Sequence, residues 1–174
     1  MKNKYKNLLI FAVIAVILIV LIFMTSPAPD RLGSYSASLE GLTVAQRKNV
    51  CLTARKLNNT TLMPGEEFSF NKVVGQTTLA RGYKNAPVIV DGEFVEGVGG
   101  GVCQVSTTLF NSVLRAGMTV TSRRNHSLPV AYVPKGTDAA VASTLDFKFK
   151  NTLNNPIYLQ APVENSKIYS RIYG

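Results

Sequence analysis

Cys103 follows three consecutive glycines, Gly99 to Gly101, and opens the run Gln104-Val105-Ser106-Thr107-Thr108, which continues with helical spacing. A thiol placed where a glycine-rich loop becomes a helix lies near backbone N–H groups that have no intrahelical partner. It also lies near the positive end of the helix macrodipole, and both favour the thiolate. The single histidine of the chain, His126, comes 23 positions later. A cysteine and a histidine suffice for thiol nucleophilic catalysis, the ring taking the proton and later returning it to the leaving group. The opposing expectation is a small buried cysteine and a hydrogen-bonded loop histidine, since a free cysteine usually behaves as a small hydrophobe.

The glycines Gly100 and Gly101 permit a close approach of substrate that a side chain would block. Their spacing matches neither a Walker loop nor G-x-G-x-x-G, which argues against phosphate binding. At the helix start the Cys103 backbone N–H is a candidate oxyanion donor, and Gln104 either adds a side-chain donor or is a polar residue of the first turn. His126 sits in Arg123-Arg124-Asn125-His126-Ser127, and a catalytic base is normally oriented by a third group. Ser127, Asp138 and Asp146 are the candidates. Strand alternation sets Asp146 among lysines on a wet face, whereas Asp138, after a Pro/Gly turn, either reaches the site or caps its own backbone. Of the neighbours Arg123 and Arg124, at most one faces the site, where it would fork onto a substrate carboxylate. Tyr83 and Tyr132 either line the cleft or pack elsewhere. No zinc-ligand spacing and no cofactor motif is present, so neither metal nor cofactor is expected.

The chain begins with Lys2, Lys4 and Lys6, followed by an uninterrupted apolar run from Leu8 to Met24. As a helix that run spans about 25 Å, close to a hydrocarbon core. Basic residues before it place the short tail 1–7 in the cytoplasm and everything after Met24 outside a bacterial cell membrane. A cleaved signal peptide is the competing reading, but the run is long for one and Thr25-Ser26-Pro27-Ala28-Pro29 makes a poor cleavage site. The net charge is +9, and after Met24 16 Lys and Arg stand against 10 Asp and Glu. That excess suits an anionic lipid surface or wall polymer; no aromatic-interleaved basic stripe indicates nucleic acid. Outside the cell Cys51 and Cys103 could pair, which would leave no nucleophile.

Residues 25–41 read as a tether and 42–174 as one domain. Thr43 and Gln46 form a capping box that opens a helix to about Leu57, with Leu42, Val44, Val50, Cys51, Ala54 and Leu57 as its apolar face. Asp91-Gly92 turns a hairpin between Ala86–Val90 and Glu93–Glu96. A second helix runs from the glycine loop to about Ala116, with Val105, Leu109, Val113 and Leu114 inward. Strands are expected over Met118–Ser122, Leu128–Val133, Leu145–Phe149, Ile157–Ala161 and Lys167–Tyr173. The fold class is α+β: two helices packed on a mostly antiparallel sheet.

Several segments together resemble a VanW-type domain: Met63 to Asn71, Arg81-Gly82-Tyr83 through Ala86-Pro87, Gly99 to Asn111, Asn125-His126-Ser127, and Thr137 to Val141 through Asp146 to Asn151. The resemblance covers roughly Leu42 to Ile172. The family is named for an accessory gene of vancomycin-resistance clusters, and some of its domains are associated with cysteine L,D-transpeptidase activity on peptidoglycan. The resemblance implies Cys103 as nucleophile and His126 as base, peptidoglycan stem peptides as partners, and 3–3 cross-links as product. The same residues would serve a thiol endopeptidase or amidase. A wall-binding accessory protein without catalysis is the reading from another class.

Overall fold

A computed structural model describes residues 11–18 and 29–174. Residues 11–18 are helical. The rest of the expected anchor over 8–24 lies outside the described residues, and among these no helix is long and apolar enough to cross a membrane.

The domain is α+β and is assembled from three antiparallel sheets around one helix. The largest sheet has the order β1 (Arg31–Ser38), β10 (Lys167–Tyr173), β8 (Ile157–Gln160), β2 (Thr60–Leu62), with β9 (Val163–Glu164) also pairing β10. A second sheet has the order β3 (Glu67–Ser69), β7 (Lys148–Lys150), β6 (Thr119–Ser122), and β4 (Asn85–Val90) with β5 (Glu93–Val98) forms a separate hairpin. The helices of the domain are α1 (Val44–Leu57), α2 (Phe70–Val74) and α3 (Val102–Arg115). α3 lies across β1 and β10 and against α1. It is buried on nearly every side from Val102 to Val113, so its neighbours fix its position.

Local chemistry accounts for most of these elements. Thr43 and Gln46 make both hydrogen bonds of the capping box that starts α1. Asp91 and Gly92 both take positive φ, as the tight hairpin turn requires. In the second sheet Phe68 pairs in register with Phe149 and stacks on it at 4.8 Å, and Phe147 meets Phe110 of α3 edge-on at 5.6 Å. This aromatic cluster joins sheet to helix and excludes water from the base of α3.

Five expectations need correction. The residues 31–38 of the expected tether form β1, paired with β10 along its length except at an irregularity at Leu32. Its Ser and Gly composition reads as linker, yet main-chain pairing needs no apolar side chain, and Gly33 brings the strand against α3. Leu128–Val133 is not a strand, since Pro129 and Pro134 cannot donate to a ladder. The strand expected over Leu145–Phe149 is displaced to Lys148–Lys150, with one bridge between Ala142 and Leu145 before it. Leu114 is half exposed on α3, and Val44 of α1 is 73% exposed. α1 buries Asn49, Val50, Thr53, Ala54 and Leu57, and turns Val44 and Cys51 away from the core.

The close approach of β1 to α3 is testable. A Cβ built on Gly33 would stand 2.4 Å from the Ser112 carbonyl oxygen and 2.7 Å from the Ala116 nitrogen, both backbone atoms of the helix terminus. Gly33→Ala is therefore expected to lower unfolding free energy by about 1–3 kcal/mol in urea denaturation, the usual cost of overpacking. Ser36→Ala on the same strand, where the side chain is exposed, should stay within about 0.5 kcal/mol of wild type.

Candidate active site

The glycine loop is held from both sides. Gly101 caps α3 at φ 100°, and a Cβ on Gly100 would meet the Pro87 carbonyl oxygen at 2.4 Å. Buried Asn49, from α1, donates through Nδ2 to the carbonyls of Gly100 (2.9 Å) and Lys84 (3.0 Å), while its Oδ1 accepts from the Lys84 N–H (2.8 Å). One amide thus ties α1, the start of β4 and the loop before Cys103 together. Sequence reasoning passed over Asn49; its signal is a polar residue beside Val50 on the inward face of an amphipathic helix.

α3 presents Cys103, Thr107 and Asn111 in one row, four residues apart. Along that row lies the extended segment from Thr137 to Val141, running opposite to the helix. Asn111 Nδ2 donates to the Thr137 carbonyl (2.7 Å), Thr107 Oγ1 accepts from the Ala139 N–H (2.9 Å), and Ser106 Oγ donates to the Ala139 carbonyl (2.6 Å). At the far end Cys103 Sγ accepts from the Val141 N–H (3.5 Å) and lies 3.4 Å from the Val141 carbonyl, toward which its S–H points when present. Ala140 bonds outward to the Arg124 carbonyl (2.8 Å), which draws in the histidine loop.

Asp138, within this strap, holds His126. Its Oδ2 accepts from the His126 backbone N–H and lies 2.6 Å from ring Nδ1. With an acceptor-only carboxylate there, the Nδ1 proton is assigned to that bond and Nε2 is left to face other partners. The His126 side chain is 7% exposed. Burial alone disfavours the Asp138 carboxylate, but the hydrogen bonds from the His126 N–H and ring outweigh it and hold the acid below its ordinary value. Arg123 donates from Nε to the Asp138 carbonyl and from Nη2 to the Gly136 carbonyl, both at 2.7 Å, and lies over the Phe110 ring. Its guanidinium is thereby engaged in fastening the strap rather than left free to clamp a carboxylate.

Cys103 departs from the expected thiolate. Its surroundings raise the thiol above its ordinary value: burial contributes most, the Val141 N–H opposes it, and the Asp138 charge adds to the rise. The helix N-terminus does not prevail, because the thiol is spent on the strap. Among the described residues no hydrogen bond joins Cys103 to His126, and both Cys51 and Cys103 are free, so the disulfide alternative falls. Tyr132 stands beside Cys103, Thr107 and Asp138. Burial pushes its phenol well up, the Cys103 and Asp138 charges add to this, and the Thr107 hydroxyl works the other way, so it keeps its proton.

The remaining candidates are placed as follows. Gln104 is buried and its amide donates to the Ser38 carbonyl at 2.6 Å, which binds α3 to β1 and takes it out of the cleft. Ser127 Oγ accepts from the Gly92 N–H, tying the hairpin tip to the histidine loop. Tyr83 is fully buried against Thr53 and Lys56, away from the cysteine. Asp146 accepts from Ser69 Oγ and the Asn71 N–H at the start of α2, a structural task. Among the described residues no group of three His, Cys, Asp or Glu is placed to hold a metal ion.

Comparison with known proteins gives a consistent result. The family model described as VanW like protein matches residues 45–173. The uncharacterized protein YoaR of Bacillus subtilis (strain 168) is 47% identical over 133 residues, covering 76% of this chain and 44% of that protein. The vancomycin B-type resistance protein VanW of Enterococcus faecalis (strain ATCC 700802 / V583) is 28% identical over 131 residues, covering 72% and 48%. The chain thus spans less than half the length of either relative. No solved structure matches.

A partly buried thiol with a raised pKa reacts slowly at neutral pH, because the thiolate is the nucleophile. In a Cys51→Ser background, alkylation of Cys103 by iodoacetamide at pH 7.5 is expected to run well below that of a free cysteine peptide. Its rate should still climb above pH 9. A rate that levels off below pH 8 would show a resting thiolate instead.

Proposed function

Because the chain belongs to the VanW-like family, we propose that it is a peptidoglycan-modifying cysteine acyltransferase, an L,D-transpeptidase that forms 3–3 cross-links. The reading is supported above all by the strap from Thr137 to Val141, whose two ends hold Cys103 and the orienting carboxylate of His126. Asp138 and Val141 are three positions apart, about 10 Å along an extended segment, and the Asp138 charge acts on Cys103, so on this reading a substrate carbonyl enters between the thiol and the ring.

The chemistry follows from the protonation states. The Cys103 thiol loses its proton to Nε2 of His126 as the sulfur attacks the carbonyl that precedes the terminal D-residue of a tetrapeptide stem. The imidazolium is stabilised by Asp138 and returns the proton to the departing amine as the C–N bond breaks, leaving a thioester. A side-chain amine of a second stem then attacks the thioester carbon, forming a new C–N bond and releasing the thiol. Negative charge on the tetrahedral oxygen is met by the Cys103 backbone N–H, which has no intrahelical acceptor, and by the protonated Tyr132 hydroxyl. Tyr132 takes the side-chain role expected of Gln104. In this reading the apolar run 8–24 anchors the domain on the wall side of a bacterial membrane, within reach of new stems.

The non-catalytic reading has its own support in the neutral thiol and the lack of a direct Cys103–His126 bond. On that account the cleft binds stem peptides, and the cysteine serves only to fasten the strap. Replacement of water for the acceptor amine gives the hydrolytic variant.

Intact-mass analysis of the full chain with disaccharide-tetrapeptides separates these. The transpeptidase reading expects an acyl adduct on wild type, absent in Cys103→Ala and at least tenfold slower to form in His126→Gln, together with dimeric muropeptides. An adduct with shortened monomers alone would establish a hydrolase. Folded wild type that retains its thiol and gives neither adduct nor product would overturn catalysis.

A further inference from the structure

Two exposed surfaces outside the cleft are apolar and oppositely charged. The outward face of α1 carries Val44, Arg47, Lys48, Cys51, Leu52 and Arg55 at successive helical turns, around a shallow depression of about 390 Å³. No carboxylate lies on this helix, and among the described residues none of its four cations is in a salt bridge. The β4–β5 hairpin has the opposite composition. Asp91, Glu93 and Glu96 are exposed with no cation on either strand, and Phe94 is 67% exposed, with Val90 and Val95 at 49% and 40%. A two-stranded hairpin with so much uncovered apolar surface is marginal by itself in water.

We propose that these surfaces are the two halves of one interface, in which the hairpin of one copy of this chain docks on the α1 groove of a second copy. Phe94 fills the depression above Cys51 and Leu52, while Glu96, on the same strand face, and Asp91 and Glu93, at the end of the hairpin, meet Arg47, Lys48 and Arg55. An anchoring aromatic ringed by complementary charge is the usual core of a protein interface. Reciprocal docking of the two hairpins about a two-fold axis closes such an assembly. An anionic wall polymer would satisfy the groove but leave the apolar hairpin bare; a second copy covers both. The proposal does not depend on the acyltransferase reading.

The native Cys51 makes the contact testable by cross-linking. The full chain carrying Cys103→Ala and Phe94→Cys, held in detergent micelles and oxidised with copper phenanthroline, should give a covalent dimer on non-reducing gels. Adding Cys51→Ser should reduce that dimer at least tenfold. In the cross-linking chain Glu93→Arg with Glu96→Arg should weaken cross-linking severalfold, and adding Arg47→Glu with Lys48→Glu should restore it. No dimer, or one indifferent to Cys51→Ser, overturns the proposal. The unmodified wild-type chain gives an independent reading by native mass: a dimer at low salt that dissociates at high salt supports it. A monomer at every salt concentration overturns it, and retention of that monomer on immobilised polyphosphate, lost with Arg47→Glu, would assign the groove to an anionic polymer instead.

Discussion

The bonding of the Thr137–Val141 segment along the row Cys103, Thr107, Asn111 is the constraint on which the rest of the site depends. Four residues of helix advance about 6 Å, and two residues of extended chain advance about 6.6 Å. The two repeats stay in step over three contacts, so every second residue of the strap meets every fourth residue of α3. Thr107 anchors the middle, where the strap's polar backbone is buried and an unmade hydrogen bond would cost about 1–3 kcal/mol. With α3 wedged between two sheets and α1, the strap has a rigid track. It carries Asp138 to His126 at one end and closes over the thiol at the other.

The same constraint sets the electrostatics. Packing the strap on the helix start shields Cys103 from water in part, and this desolvation outweighs the favourable field of the helix N-terminus. A negative Asp138 nearby works in the same direction. The resting site therefore holds a neutral thiol, and the same strap orients the imidazole through Asp138. On the proposed acyltransferase reading, proton transfer concerted with attack needs no standing thiolate, and a protonated thiol is less open to oxidation.

Much of this was legible in the residues and some of it was not. The capping box at Thr43, the Asp91-Gly92 hairpin and the glycine loop opening α3 are local devices, and local rules suffice to find them. β1 was unreadable because a Ser-rich strand is recognised by its partner, β10, far away in sequence. Asn49 was missed for a similar reason: an amide that bridges two loops shows only as a polar residue on an inward helix face. Gln104 next to the cysteine reads equally as a donor to the site or as a polar residue of the first turn; adjacent helix positions point about 100° apart, and its side chain reaches Ser38. The spacing of Cys103, Thr107 and Asn111 was visible as a polar stripe on an otherwise buried helix. What covered the stripe was not.

The strap on α3 positions the histidine through Asp138. His126 is the only histidine, so the downfield proton resonance of its Nδ1–H is unambiguous in the spectrum of the detergent-solubilised chain. That resonance, compared between wild type and Thr107→Val, is the most direct measurement. A sharp signal is expected in wild type and should broaden or vanish in a Thr107→Val chain that remains folded, since loss of the Ala139 bond frees Asp138. An unchanged signal in folded Thr107→Val would contradict it.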